Sequence, residues 1–279
     1  MRGIRHGWQL TKKSWQLLRS HRELFRFPVY ASMLALVVLL ATVAPGLYQI
    51  SDSEYVPGGL LTAVGLYLSS FIAIYFGVAL AATADLIFSG QQATTSDGFV
   101  VARERLGAIA AWALLAALVG TLISALQQSG SIGEAIVGTL VGAAWSLITF
   151  LAVPVIAFEG TGPFTTLKRS ASLFKRRWAG QVTGDVAIGG IVLLVGVLPA
   201  VALIVIGVLL WIGGGTTATG MVIGQILVGI GIIALVISML VLQAMRGVFG
   251  VALYRFASDG NVPHVAFTEE DLESAVRTR

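Results

Sequence analysis

The run VAIGGIVLLVGVLPAVALIVIGVLLW, residues 186–211, carries no charged side chain in 26 consecutive positions. A helix that crosses a bilayer needs about 20 apolar residues, so this stretch reads as a membrane span. Working outward from it, five further stretches meet the same requirement: 29–50, 58–84, 106–126, 135–157 and 220–243. Composition agrees. The 279 residues are 56% hydrophobic and 11% charged, against roughly 45–50% and 25% in soluble domains, and no single soluble core would hide that much apolar surface. The sequence therefore predicts an all-α polytopic membrane protein of six transmembrane helices, arranged as three hairpins with interfacial amphipathic helices on one side.

The charges supply the orientation. All eighteen Lys and Arg fall at Arg2 to Arg26, at Arg103 and Arg105, at Lys168 to Arg177, and at Arg246, Arg255, Arg277 and Arg279. The intervening loops 51–57, 127–133 and 212–219 carry none. By the positive-inside rule the basic side is cytoplasmic, and an even number of spans puts both termini there. The first apolar stretch begins only at Pro28 and lacks an A-x-A cleavage site, so it reads as a retained span of a cytoplasmic-membrane protein, not a signal peptide. The pI near 9.6 follows from this asymmetry and does not call for a nucleic-acid partner.

Three segments on the basic side share a design. Ile4, Trp8, Thr11, Trp15 and Leu18 recur at helical spacing, with Arg5, Lys12, Gln16 and Arg19 on the opposite arc. This predicts an interfacial helix over residues 1–27, which Pro28 separates from the first span. Phe164, Leu167, Ala171, Phe174 and Trp178 form a second such stripe within 163–180, ringed by Lys168, Arg169, Lys175 and Arg176. The local patterns Lys12-Lys13-Ser14-x-x-Leu17-Leu18-Arg19 and Lys168-Arg169-Ser170-x-x-Leu173-Phe174-Lys175 correspond, and a weaker version lies near 97–105. One reading is three repeated units, each an amphipathic segment followed by a hairpin; the other is that basic amphipathic loops accompany any six-span protein. The six-helix domain covers 28–257, and a polar tail follows at 258–279.

Ionisable groups near apolar spans each cost about 2.5–3.5 kcal/mol at mid-membrane and need an account. Asp85, Glu159, Asp185 and Arg246 all lie near the cytoplasmic boundary in this reading. Pairing of Asp85 or Asp185 with Arg246 would lower the cost of burying either, and a cation-handling vestibule is the alternative. Trp8, Lys12, Lys13, Trp15, Arg19, Lys168, Arg169, Lys175, Arg176 and Trp178 are the residues expected to face lipid or a partner.

Catalytic patterns do not emerge. His6, His21 and His264 lie outside the spans without metal-ligand spacing, Cys is absent, and there is no phosphate-binding G-x-x-x-x-G-K-[ST] loop. The sequence points away from an enzyme and implies no cofactor or metal.

Three stretches carry a resemblance: Gly7 to Trp15, Arg22 to Pro28, and Pro154-Val155-Ile156-Ala157-Phe158-Glu159-Gly160 leading into Leu167-Lys168-Arg169-Ser170. They resemble an uncharacterised family of six-span membrane proteins met in archaea and actinobacteria. The layout is also similar to the membrane domain fused to some glycerophosphodiester phosphodiesterases, although no phosphodiesterase domain is present. The resemblance supplies no catalytic residues and implies that the turn after Pro154 bends span four into the interfacial helix. Taken together, the expected role is a scaffold or accessory subunit that organises lipid, especially anionic lipid, or a partner complex, with Gly138-x-x-x-Gly142 and Gly220-x-x-x-Gly224 read as helix-packing positions and, alternatively, as homo-oligomer contacts. The rival is a small-solute or lipid transporter or channel with a charged inner vestibule.

Overall fold

The computed structural model describes residues 15, 16, 18–128, 132–178, 192–213 and 218–259. The described residues are helical with short turns: α1 (Arg22–Val38), α2 (Ala44–Ser51), α3 (Tyr55–Phe88), α4 (Thr95–Glu104), α5 (Leu106–Gln127), α6 (Ile132–Thr149), α7 (Ala152–Glu159), α8 (Pro163–Trp178), α9 (Leu198–Gly213) and α10 (Ala218–Asp259). Among them are six helical stretches long and apolar enough to cross a membrane, beginning at Arg22, Tyr55, Leu106, Gly133, Leu193 and Thr219. The chain is a multi-pass membrane protein.

Two spans contain a five-residue π-helical turn, Leu39–Val43 before α2 and Leu193–Val197 before α9. Each turn ends one residue before the dipeptide that opens the next helix, Ala44-Pro45 and Leu198-Pro199. A proline has no N–H to give the carbonyl four residues back, and a wider turn absorbs that break without ending the span. Pro28, by contrast, lies inside α1 and does not separate an interfacial helix from the span as its sequence position suggested. The expected helix over 1–27 lies largely outside the described residues.

The contiguous core of buried side chains lies at one end of the bundle, with Ile123 of α5 and Ala200 of α9 buried outside it. The core runs along α3 from Ile74 to Phe88 and along α10 from Ala244 to Phe256. Leu24 and Phe27 of α1, Ile109 and Trp112 of α5, residues 151–157 around α7, and Leu173 of α8 complete it. This is the basic end, where Arg19, Arg103, Lys168 and Arg255 also lie. Phe99 of α4 is its aromatic hub, with ring centroids 5.3 Å from Phe27, 5.7 Å from Phe76 and 6.1 Å from Tyr75. Edge-on and offset pairs of this kind add about 0.5–1.5 kcal/mol each beyond area burial.

α4 is held there by its own cap. The Thr94 N–H donates to the Asp97 carboxylate at 2.8 Å, and Gly98 faces Ala79 and Thr83 of α3 with no room for a Cβ. The segment near 97–105 is thus docked on protein through Gly98 and Ala102.

The other end is packed pairwise. α2 lies on α3, α5 on α6 and α9 on α10, and α9 touches little else among the described residues. Apolar side chains there point outward: Tyr48, Leu122, Leu140, Leu209 and Ile212 are all more than 60% exposed. In water such faces would aggregate; in a bilayer they are solvated by acyl chains.

Candidate functional site

At the basic end the last two turns of α10 are fastened to two neighbours through adjacent residues. Arg255 reaches α3: its Nε donates to Asp85 Oδ1 at 2.5 Å, and one terminal nitrogen donates to the Asp85 carbonyl at 3.1 Å and to Ser89 Oγ at 2.5 Å. α3 has no basic residue in its own last turn. Arg255 therefore supplies from another helix the cation that a helix C-terminus favours, on a carbonyl that also accepts from the Ser89 N–H and hydroxyl.

Tyr254, next in the chain, turns the other way. Its hydroxyl donates to Glu159 Oε1 at 2.8 Å, the oxygen that also accepts from Arg169 Nε at 2.7 Å. The Tyr254 ring packs on Phe158, centroids 5.1 Å apart. The hydrogen bond to Glu159 pushes the Arg169 guanidinium above its ordinary pKa, so Arg169 is a fixed cation.

These contacts revise the expected charge cluster. Asp85 pairs with Arg255, not Arg246, and Glu159 belongs to a separate clamp with Arg169 and Tyr254. The physical reason is that α10 continues unbroken through the apolar run Val248 to Leu253. That carries Arg255 two and a half turns, about 13 Å, beyond Arg246. Arg246 is accordingly nearer the apolar part of the span than Asp85 is, and these two groups do not share one depth. Asp185 lies outside the described residues.

The turn after Pro154 has an equally local cause. α6 ends at Thr149 and α7 starts at Ala152. Pro154 cannot donate to the Phe150 carbonyl, and the ladder is interrupted at this break. Ser170 of α8 splices it, its hydroxyl donating to the Ile148 carbonyl at 2.5 Å and accepting from the Leu151 N–H at 3.2 Å. α7 then stops at Gly160, whose φ of +62° is the left-handed conformation of a helix C-terminus. A side chain at Gly160 would also collide with the Arg105 guanidinium, which lies over it. Pro163 opens α8, and Thr161 and Thr166 bond to each other across its first turn.

On α8 the buried positions are Thr166, Ser170 and Leu173, while Phe164 is 71% exposed. The helix thus turns small and hydroxylic residues to the protein at the front of the stripe that the sequence marks as apolar. Lys168 and Lys175 are exposed, as are Trp15 and Arg19. Arg169 is half-buried and bonded through its Nε to Glu159. Arg176 and Trp178 belong to the last turn of α8, with side chains outside the described set; Trp8, Lys12 and Lys13 lie outside it altogether.

A cavity of about 340 Å³ opens between α3, α6, α7 and α10. Its walls are apolar along α3, from Ala73 to Ala81, and at Phe150, Val153 and Pro154; Ser146, Thr149, Gln243 and Arg246 bring polar groups to it. Among the described residues no group of three or more His, Asp or Glu is placed to hold a metal ion.

No curated protein and no solved structure matches the chain. The model of a family of unknown function, DUF6159, matches residues 58–264, a stretch that holds both clamps, the Ser170 splice and most of the cavity wall, and the chain belongs to that family.

Proposed function

We propose that this protein is a non-enzymatic scaffold of the cytoplasmic membrane, its basic end facing the cytoplasm and presenting a collar of cations to anionic lipid or to an acidic partner. One observation carries the reading. Arg169 Nε and the Arg255 guanidinium are engaged in clamps to Glu159 and Asp85, and Arg19, Arg22, Arg26, Arg103, Lys168 and Lys175 are all exposed around the end where the core is packed. Each basic residue near an anionic leaflet contributes about 1 kcal/mol, and a rigid base holds them together.

The hairpin reading belongs to the same proposal, and contacts in the first and third pairs support a repeat. Counting from Pro45 and Pro199, the next residue in each case, Gly46 or Ala200, meets a glycine of the following helix, Gly58 or Gly231. Three residues before each proline, Thr42 meets Gly65, and Gly196 meets Ser238. The spacing from Gly58 to Gly65 equals that from Gly231 to Ser238. In both pairs one partner is a glycine and the other a hydroxyl residue that bonds back to its own helix, Thr42 to the Val38 carbonyl and Ser238 to the Ala234 carbonyl. Small residues at such positions let membrane helices approach closely.

The test is neutralisation of the collar without touching the clamps: Arg19, Arg103, Lys168 and Lys175 to Gln in one variant. Reconstituted in nanodiscs of mixed phosphatidylcholine and phosphatidylglycerol, it should lose the enrichment of phosphatidylglycerol around the wild-type protein, or lose partners recovered by cross-linking in cells. If lipid enrichment and partner recovery both match wild type, the scaffold reading is wrong. A second reading, a transporter or channel, draws on the cavity beside Arg246. Solute or lipid flux in proteoliposomes that disappears on Arg246→Gln would favour it.

A further inference from the structure

The cavity lies between the charged clamps of the basic end and the apolar far end, and its lining is divided into a polar and an apolar side. Arg246 is on the apolar side of the Asp85–Arg255 clamp by about 13 Å along α10. Gln243 sits one turn further toward the span, and Ser146 and Thr149 face them from α6. The back wall, on α3, is apolar. Ala73, Ser146, Gln243 and Arg246 are all exposed, so the cavity opens sideways between α6 and α10 toward the bilayer and is not sealed within protein. Its volume of about 340 Å³ falls at the lower end of ligand pockets, roughly 300–1,000 Å³.

We infer that this cavity binds one anionic phospholipid from the adjoining leaflet, its phosphate on Arg246 and Gln243 and part of one acyl chain along the α3 wall. Arg246 has a contact within the protein, and its exposed guanidinium, this close to the hydrocarbon, also favours an anion. A phosphate matches its planar donor fork, and five N–H donors suffice for a phosphate alongside a contact within the protein. The apolar wall asks for a chain, which a free phosphate ester lacks. The site shares no residue with the outward-facing collar, so the two can fail separately.

The test uses the full purified chain, delipidated in detergent and titrated with dioleoyl phosphatidylglycerol or dioleoyl phosphatidylcholine, with bound lipids per chain counted by native mass spectrometry. One phosphatidylglycerol per chain should be retained with about tenfold preference over phosphatidylcholine, as expected when one charge-assisted contact decides. Arg246→Gln should abolish the preference and Arg246→Lys keep part of it. Ala73→Phe should expel the lipid by filling the cavity; Ala73 is exposed, so this variant leaves the buried core intact and carries the test even if Arg246→Gln does not fold. Unchanged retention in Ala73→Phe, or equal retention of the two lipids by the wild type, overturns the proposal. So does displacement by millimolar glycerol phosphate, which would identify a soluble phosphate ester as the ligand. Loss of the lipid in a Lys168→Gln, Lys175→Gln variant but not in Arg246→Gln would place it on the collar and overturn the pocket.

Discussion

The two ends of this bundle are both built largely from apolar helices and are held together by different means. At the basic end, α3 and α10 are buried along three to four turns each, fastened by Arg255 and Tyr254 and keyed by Phe99. At the far end, Leu209 of α9 is 65% exposed and helices meet in pairs through small residues. The difference teaches where tertiary stability resides. A leucine facing lipid gains little by packing on another apolar helix, because acyl chains are as apolar as it is. Close packing, hydrogen bonds and ion pairs have to supply the rest, and they are concentrated at one end.

Substitutions that should break or sharpen the contrast can be ranked by expected effect. Phe249 is 1% exposed in the core, and Phe249→Ala should cost about 3–5 kcal/mol, read as a large drop in thermal unfolding temperature in mild detergent. Leu209→Ala, the same kind of truncation at the far end, should stay within about 0.5 kcal/mol. Equal losses would mean that the far end is also held by packing.

Arg255→Ala should cost about 2 kcal/mol, the range of hydrogen bonds to charged groups. Combined with Asp85→Ala it should be less than additive, while Arg246→Ala with Asp85→Ala should add. Coupling of Asp85 to Arg246 in this cycle would restore the pairing expected from sequence and remove the clamp. Ser170→Ala should cost about 1–2 kcal/mol by leaving the Leu151 N–H and Ile148 carbonyl unpaired, with Ser170→Thr nearer wild type. A silent Ser170→Ala would mean that water splices the break equally well.

The smallest effect concerns α4. The backbone and side-chain hydrogen bonds from Thr94 hold the Asp97 carboxyl below its ordinary 3.8. A depressed carboxyl pKa stabilises the fold above that ordinary value, and the contribution disappears as pH falls through the lowered one. Amide exchange in the first turn of α4 should therefore speed up on acidification below about pH 4 relative to neighbouring helices, and Asp97→Asn should remove that pH dependence. The same acid-induced increase in Asp97→Asn would assign it to another group.

Much of the fold was legible because membrane spans are long apolar runs, and all six appear where the runs lie. Span six shows the limit. Counting apolar residues ends it near Gln243, since lipid would reject Arg246, but α10 continues to Asp259 because its tail is buried against protein. The partner of Asp85 was lost with that helix end: Arg255 was visible as a cation, and only helical continuity places it opposite. Phe99, Phe27, Tyr75 and Phe76 come from three helices, so no local spacing could reveal their cluster. Ser170 had only a faint signal: Pro154 hints at a break in the span, but which backbone groups a hydroxyl from α8 would reach, the Ile148 carbonyl and the Leu151 N–H, follows only from the packing. On α8 the periodicity of Phe164, Leu167 and Ala171 identified an apolar face but not whether lipid or protein would meet it.

The measurement that bears most directly on this asymmetric construction is photolabelling of the purified chain in nanodiscs by a phospholipid with a diazirine in its acyl chain, mapped by peptide mass spectrometry. Labels should gather on the outward faces of α5, α6, α9 and the first half of α10, at positions such as Leu122, Leu140, Leu209 and Ile233, and should spare 78–84, 151–157 and 248–256. Heavy labelling of those three buried segments, or protection of the far faces in the isolated protein, would contradict a core held at the basic end alone.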